Sequence, residues 1–147
     1  MAIHRLGNHS VSHPYLTDLT DDQIRAEITH AAERITAVTG ADPAPWFRFP
    51  FGDRVNRTIA AVNSIGYVPV RWTVDSLGWK GTSGGQSVLS VQQRVLSTLT
   101  DGQIILMHVG SNPDDHSTLD ADALPGLIHQ LRDRGYSFVT LDALLEK

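Results

Sequence analysis

Residues 103–110, QIILMHVG, are almost wholly apolar, the composition expected of a strand buried on both faces. Such strands belong to parallel sheets, where helical crossovers cover either side. The chain supplies crossovers. LTDDQIRAEITHAAERITAVTG sets Ile24, Ile28, Ala31, Ile35 and Val38 on one stripe, opens with a capping box of Thr20 and Gln23, and stops at Gly40, which predicts an amphipathic helix. DRVNRTIAAVNSIG, residues 53–66, repeats the pattern through Val55, Ile59 and Val62 and ends at Gly66. SVQQRVLSTLTDG, residues 90–102, reads as a third helix capped by Ser90 with Gln93, and ADALPGLIHQLRDRG, residues 121–135, as a fourth. PWFRFPF (45–51), YVPVRWTVD (67–75) and YSFVT (136–140) read as strands between them.

Strand and helix take turns throughout, with no internal repeat and no low-complexity linker. Residues 1–147 are therefore expected to form one α/β domain with parallel strands. Sites in such folds gather where loops leave the C-terminal ends of strands. Arg48 and Phe51 close the first strand, Asp75 and Trp79 follow the second, and His108 lies near the end of the third.

Composition removes several functions. The 147 residues, 41% hydrophobic, suffice for a real core. A net charge of −4 with scattered Lys and Arg leaves no basic patch for a phosphate backbone, so no nucleic acid partner is expected. No apolar run approaches the roughly 20 residues of a membrane span. Residues 1–14 have neither the charged start nor the apolar middle of a signal peptide. With no cysteine, a metal must be held by His, Asp or Glu, and thiol chemistry says nothing about compartment.

GNHSVSHP, residues 7–14, places His9 and His13 four residues apart. Two imidazoles at that spacing can lie on one face of a helical turn and bring two nitrogens to one divalent metal, zinc being the usual tenant. The plainer use of a histidine is as a surface or satisfied core residue.

Four stretches in order, HSVSHP, RFPFG, VDSLGW and LMH, resemble the later motifs of the polysaccharide deacetylases, the NodB-type carbohydrate esterases, and the resemblance runs over essentially the whole chain. It implies a distorted parallel-strand (β/α) barrel that removes acetyl groups from N-acetylglucosamine polymers, as amides, or from xylan, as esters. An acetylated polysaccharide is the implied partner. Carried over by motif, His9 and His13 are ligands of Zn²⁺ or another divalent metal, and Arg48 orients the catalytic carboxylate. Phe51, held after Pro50, offers its main-chain N–H to the oxyanion. Trp79 and Leu106 wall the acetyl pocket, and His108 is the general acid. Members of the family are commonly secreted or in the cell envelope; the location of this chain stays open.

The family opens with a strand ending in a Thr-Phe-Asp-Asp-type motif, whose aspartates are general base and third metal ligand. MAIHRLGN, residues 1–8, contains no acid. The resemblance thus implies a barrel that is N-terminally truncated, with metal weakly held or absent, reduced activity, and an exposed sheet edge prone to self-association. Asp21 and Asp22 suit a helix N-terminus instead. Many relatives carry an Asp immediately before the Trp to hold the general-acid His. Gly78 stands there, so Asp75 is expected to take that role; a carboxylate bonded to its own backbone is the alternative. Loop 110–122, with four acids and a His, reads as a solvated loop with Asp120 or a neighbour at a helix N-terminus, or as one that brings Asp114, Asp115 or His116 to the metal. The rival function is a non-catalytic carbohydrate-binding or structural remnant using Trp46, Trp72 and Trp79 as sugar platforms.

Overall fold

A computed structural model of the protein describes residues 4–145; the ends of the expected domain, 1–3 and 146–147, lie outside the described residues. Helices α1 (Asp21–Thr39), α2 (Asn56–Ser64), α3 (Val88–Ser97) and α4 (Leu119–Asp133) accompany four short strands, β1 (Trp46–Phe47), β2 (Val68–Pro69), β3 (Val74–Asp75) and β4 (Ile105–Leu106). β1 pairs in parallel with β2, and β3 in parallel with β4, each a two-stranded sheet. The expected parallel pairing is present, and helices and strands alternate except where β2 passes directly to β3. Among the described residues no helix is long and apolar enough to cross a membrane. The chain divides into two compact units, residues 1–71 with 140–147, and residues 72–139.

In the first unit α1 begins as its sequence predicts. Thr20 accepts from the Gln23 N–H, the Gln23 side chain returns to the Thr20 N–H, and Gly40 ends the helix at φ 72°. Its stripe buries Ile24 and Ile28 completely against Leu16, Phe47, Phe49, Val62 and Tyr67. Each such isoleucine contributes about 1.5–3 kcal/mol by leaving water. The stripe does not reach the end of the helix, because Val38 is 86% exposed. At the start of α2 the Thr58 hydroxyl accepts from the Val55 N–H and donates to the Val55 carbonyl, closing the first turn.

In the second unit Val74, Val95, Leu127 and Leu131 form one core cluster, and Val91, Leu119 and Ala123 another. α3 starts earlier than its sequence suggested: the cap is Ser87, whose hydroxyl accepts from the Ser90 N–H while the Ser90 hydroxyl accepts from the Ser87 N–H. α4 likewise begins at Leu119 and carries Pro125 within it.

Three strand expectations are corrected. Residues 67–75 are not one strand, because Val70 donates to Phe47 in the first unit whereas Thr73 donates to Ile104 in the second. The segment changes partners, so it serves two sheets with two residues each. Of the run 103–110 only Leu106 is buried, while Val109 is fully exposed, so this two-stranded sheet is not covered on both faces. Residues 136–140 form no strand; Phe138 and Val139 are 52% and 77% exposed and find no ladder to join.

Candidate functional site

The histidine segment of the first unit is a folded loop, not a helical turn, because Ser10 and His13 lie at φ 66° and 56°. Left-handed backbone costs a non-glycine residue roughly 1–2 kcal/mol, so contacts must fix it. Asn8, 1% exposed, supplies several of them. Its N–H donates to Trp46 O at 2.8 Å and its carbonyl accepts from Arg48 N at 2.9 Å, adding a strand-like bridge beside β1. Its side chain donates to Ile28 O at 2.8 Å and accepts from Ser10 N at 3.0 Å. The Ser10 hydroxyl accepts from His13 N at 3.1 Å. Glu27, from α1, accepts from the N–H groups of Val11 and Ser12 and from the Ser12 hydroxyl. Burial works to raise the Glu27 carboxyl, but the hydrogen bonds from Ser12 and Val11 outweigh it and hold it below its ordinary value.

The loop brings the two imidazoles together, ring centroids 4.9 Å apart and edge to face. Nδ1 of His9 lies 2.7 Å from the carbonyl oxygen of Arg48. A carbonyl only accepts, so Nδ1 bears the proton and Nε2 the lone pair, the tautomer a metal-ligating histidine needs. His13 also meets the Phe51 ring at 4.4 Å, and Phe51 stacks on Tyr15 at 4.1 Å. Phe51 itself sits at φ 58° in a turn that follows buried Pro50, closed by Gly52 N to Phe49 O at 3.0 Å and Asp53 N to Pro50 O at 3.1 Å. Two adjacent imidazoles with one tautomer fixed match the nitrogen donors of a divalent-metal site. Among the described residues no third His, Cys, Asp or Glu joins them in a cluster.

In the second unit Trp79 and His108 share a cavity of about 240 Å³ whose lining includes Gly78, Asn112, Leu119 and Asp120. Leu106 is not among its lining residues, being 6% exposed in the core; Val109 and Leu119 are the aliphatic residues that line it. Asp75 and Asp120 are engaged differently. Oδ1 of Asp75 accepts from the Leu77 N–H at 2.9 Å, a local turn, while Oδ2 of Asp120 accepts from the His108 N–H at 2.7 Å and lies 3.6 Å from His108 Nδ1. Burial works to raise the Asp120 carboxyl, yet the His108 imidazole, the Ser76 hydroxyl and the His108 main-chain N–H together lower it.

The loop before α4 is built around Asn112 and Asp115. The Asn112 side chain accepts from the N–H groups of Asp114 and Asp115 and donates to Trp79 O at 2.9 Å. Asp115 accepts from the Thr82 hydroxyl and from the N–H groups of Ser83 and Ser117, so its carboxylate is used in tying loop to loop. Of the three tryptophans offered as sugar platforms, Trp46 is 3% exposed and cannot present a face, Trp72 is half-buried, and Trp79 is 48% exposed.

Comparison with known proteins agrees with the motifs. The sequence profile described as polysaccharide deacetylase matches residues 2–70. Over 143 residues, 97% of the chain, the protein is 32% identical to a peptidoglycan-N-acetylglucosamine deacetylase of Bacillus cereus, of which this covers 50%. The chain is similar to the polysaccharide deacetylases over most of its length. Among solved members, a peptidoglycan N-acetylglucosamine deacetylase bound to a naphthalenyl N-oxidanyl-benzamide superposes with a TM-score of 0.83 at 30% identity, covering 96% of this chain and 63% of that one. A family 4 pseudoenzyme of Bacillus anthracis superposes at 0.81 with 28% identity, over 95% of this chain and 46% of that one. The chain spans about half the length of the curated relatives it matches. Sequence reasoning missed Asn8, Glu27 and the contacts of Asp120 to His108. The Asn8 bonds had no sequence signal, whereas a glutamate on the α1 face nearest a Ser-rich loop is a weak one.

Proposed function

We propose that this chain is a polysaccharide deacetylase domain that serves hydrolysis of acetyl groups on a carbohydrate polymer, with His9 and His13 as the nitrogen ligands of Zn²⁺ or another divalent metal. The observation that carries the reading is the His9 Nδ1 bond to Arg48 O, which assigns the lone pair to Nε2 beside the His13 ring. A bound divalent cation would polarise the acetyl carbonyl and supply water of lowered pKa. The chain's own residues contribute three further actions. The N–H of Phe51, carried on a turn closed by two hydrogen bonds, is a fixed donor for the carbonyl oxygen as it gains charge. Trp79 and Leu119 give the 240 Å³ cavity an apolar wall suited to a methyl group. His108 passes a proton to the departing amine or alcohol. Arg48 is the cation for the catalytic carboxylate.

The names of the relatives support an N-acetylglucosamine-type amide over a xylan-type ester, and the parallel pairs β1–β2 and β3–β4 support placement in a (β/α) barrel. The test is acetate release from an N-acetylglucosamine oligomer with zinc added and with zinc chelated. Release that needs zinc supports the reading. Oligomer binding without release in either condition assigns the chain to non-catalytic carbohydrate binding.

A further inference from the structure

The structure assigns a use to two residues outside that set: we propose that Asp120 is the positioning residue for the His108 imidazole, and that Gly78 is glycine because the Asp120 carboxylate occupies the space of its missing side chain. The inference rests on the reading of His108 as proton donor.

Asp120 is 5% exposed, and an ionised carboxylate at that depth is costly unless paired. It lies in the first turn of α4, where the helix dipole favours an anion, but a capping acid gains that benefit without burial. Its Oδ2 is aimed instead at His108, 2.7 Å from the N–H and 3.6 Å from Nδ1. A shortening of a few tenths of an ångström would convert the second contact into a charge-assisted hydrogen bond, as catalytic pairs do when substrate is bound. An anion at Nδ1 keeps the proton of the neutral ring there, leaves Nε2 to exchange protons, and stabilises the imidazolium.

Gly78 is what lets the carboxylate in. A Cβ at that position would stand 2.2 Å from Asp120 Oδ1 and 2.5 Å from its Cγ, and the three nearest atoms it would meet all belong to Asp120. Gly78 is not among the glycines at positive φ, so space and not backbone conformation requires it. The surroundings leave few competitors. Of the residues lining the cavity only His108 and Asp120 carry ionisable side chains.

Two measurements on the full chain test this without recourse to activity. Carbon-detected NMR follows the Asp120 carboxyl through acid titration in the wild type and in His108→Gln, which keeps the main-chain N–H and loses the imidazole. The midpoint should rise by about one pH unit in the variant; an unchanged midpoint means that Asp120 serves only the main chain and overturns the proposal. Second, Gly78→Ala should lower the thermal midpoint by several degrees in the wild-type background and by much less in Asp120→Ala. Equal losses in both backgrounds overturn the assignment of Gly78. A failure of zinc-dependent acetate release would leave both measurements standing, so the two readings fail separately.

Discussion

Glu27 holds Ser12 with both carboxylate oxygens, Oε2 accepting from the N–H at 2.9 Å and Oε1 from the hydroxyl at 2.8 Å. A side chain from α1 therefore shapes the loop between the two imidazoles. Glu27→Gln keeps the volume but turns one acceptor into a donor that faces donors. Zinc affinity should fall by about tenfold, the scale of outer contacts to metal ligands. Calorimetric titration with zinc checks it; affinity equal to wild type would remove the link between α1 and the site.

The His9 and His13 pair separates the site from the other imidazoles. His13→Ala should abolish zinc binding, whereas His30→Ala on α1 and His129→Ala on α4 should bind as wild type does. His129 is already engaged at 3.3 Å by Asp133 on its own helix. Equal binding by all three variants would return His9 and His13 to an ordinary surface role.

Acid should unfold the protein through particular carboxylates. Glu27, Asp115 and Asp120 all lie below their ordinary values in the folded state, so each binds a proton less readily there than in the unfolded chain. Their stabilisation is present above the unfolded values, 4.5 for Glu27 and 3.8 for the aspartates, and is lost as pH falls through the folded ones. The thermal midpoint should hold from neutrality to about pH 5 and fall below it, less steeply in Asp120→Asn. A midpoint that rises on acidification contradicts this.

Gly40 is required by its backbone alone. It ends α1 at φ 72° with its N–H 2.8 Å from Thr36 O, and a Cβ there would meet nothing within 4 Å. Gly40→Ala should cost about 1 kcal/mol and Gly40→Asn less. Urea denaturation followed by circular dichroism measures both; a neutral alanine variant would show that the helix end relaxes.

Self-association is expected from the sheets. Each has two strands, and Val109, Phe138 and Val139 are 108%, 52% and 77% exposed. Unpaired edges and apolar surface favour a second copy. Sedimentation at about tens of micromolar should show dimers or larger species, and a monodisperse monomer would exclude them.

What the sequence made legible was local. The ends of α1 are set by Thr20, Gln23 and Gly40, all within the helix or one residue from it, and they stand where the pattern put them. The start of α3 moved because Ser87 and Ser90 reciprocate each other's hydrogen bonds, a choice that two serines three apart leave open. The histidine pair was legible as a pair, but its backbone was not: Asn8 and Glu27 bend it through Ile28 and α1, far along the chain. Asp75 and Asp120 were equally plausible by composition. Only the folded contacts separate them, Asp75 bonding the Leu77 N–H and Asp120 facing His108.

The close approach of Asp120 to Gly78 also fixes an order of events. With a Cβ at 78 placed 2.2 Å from Asp120 Oδ1, an ancestor bearing any side chain there could not have accepted this carboxylate in its present rotamer. Glycine had to arrive first or together with the aspartate. Once both were in place, return at position 78 was closed for as long as Asp120 remained, so the pair works as an evolutionary ratchet. A side chain at 78 should therefore occur only where position 120 is not aspartate, whereas glycine at 78 without the aspartate is allowed.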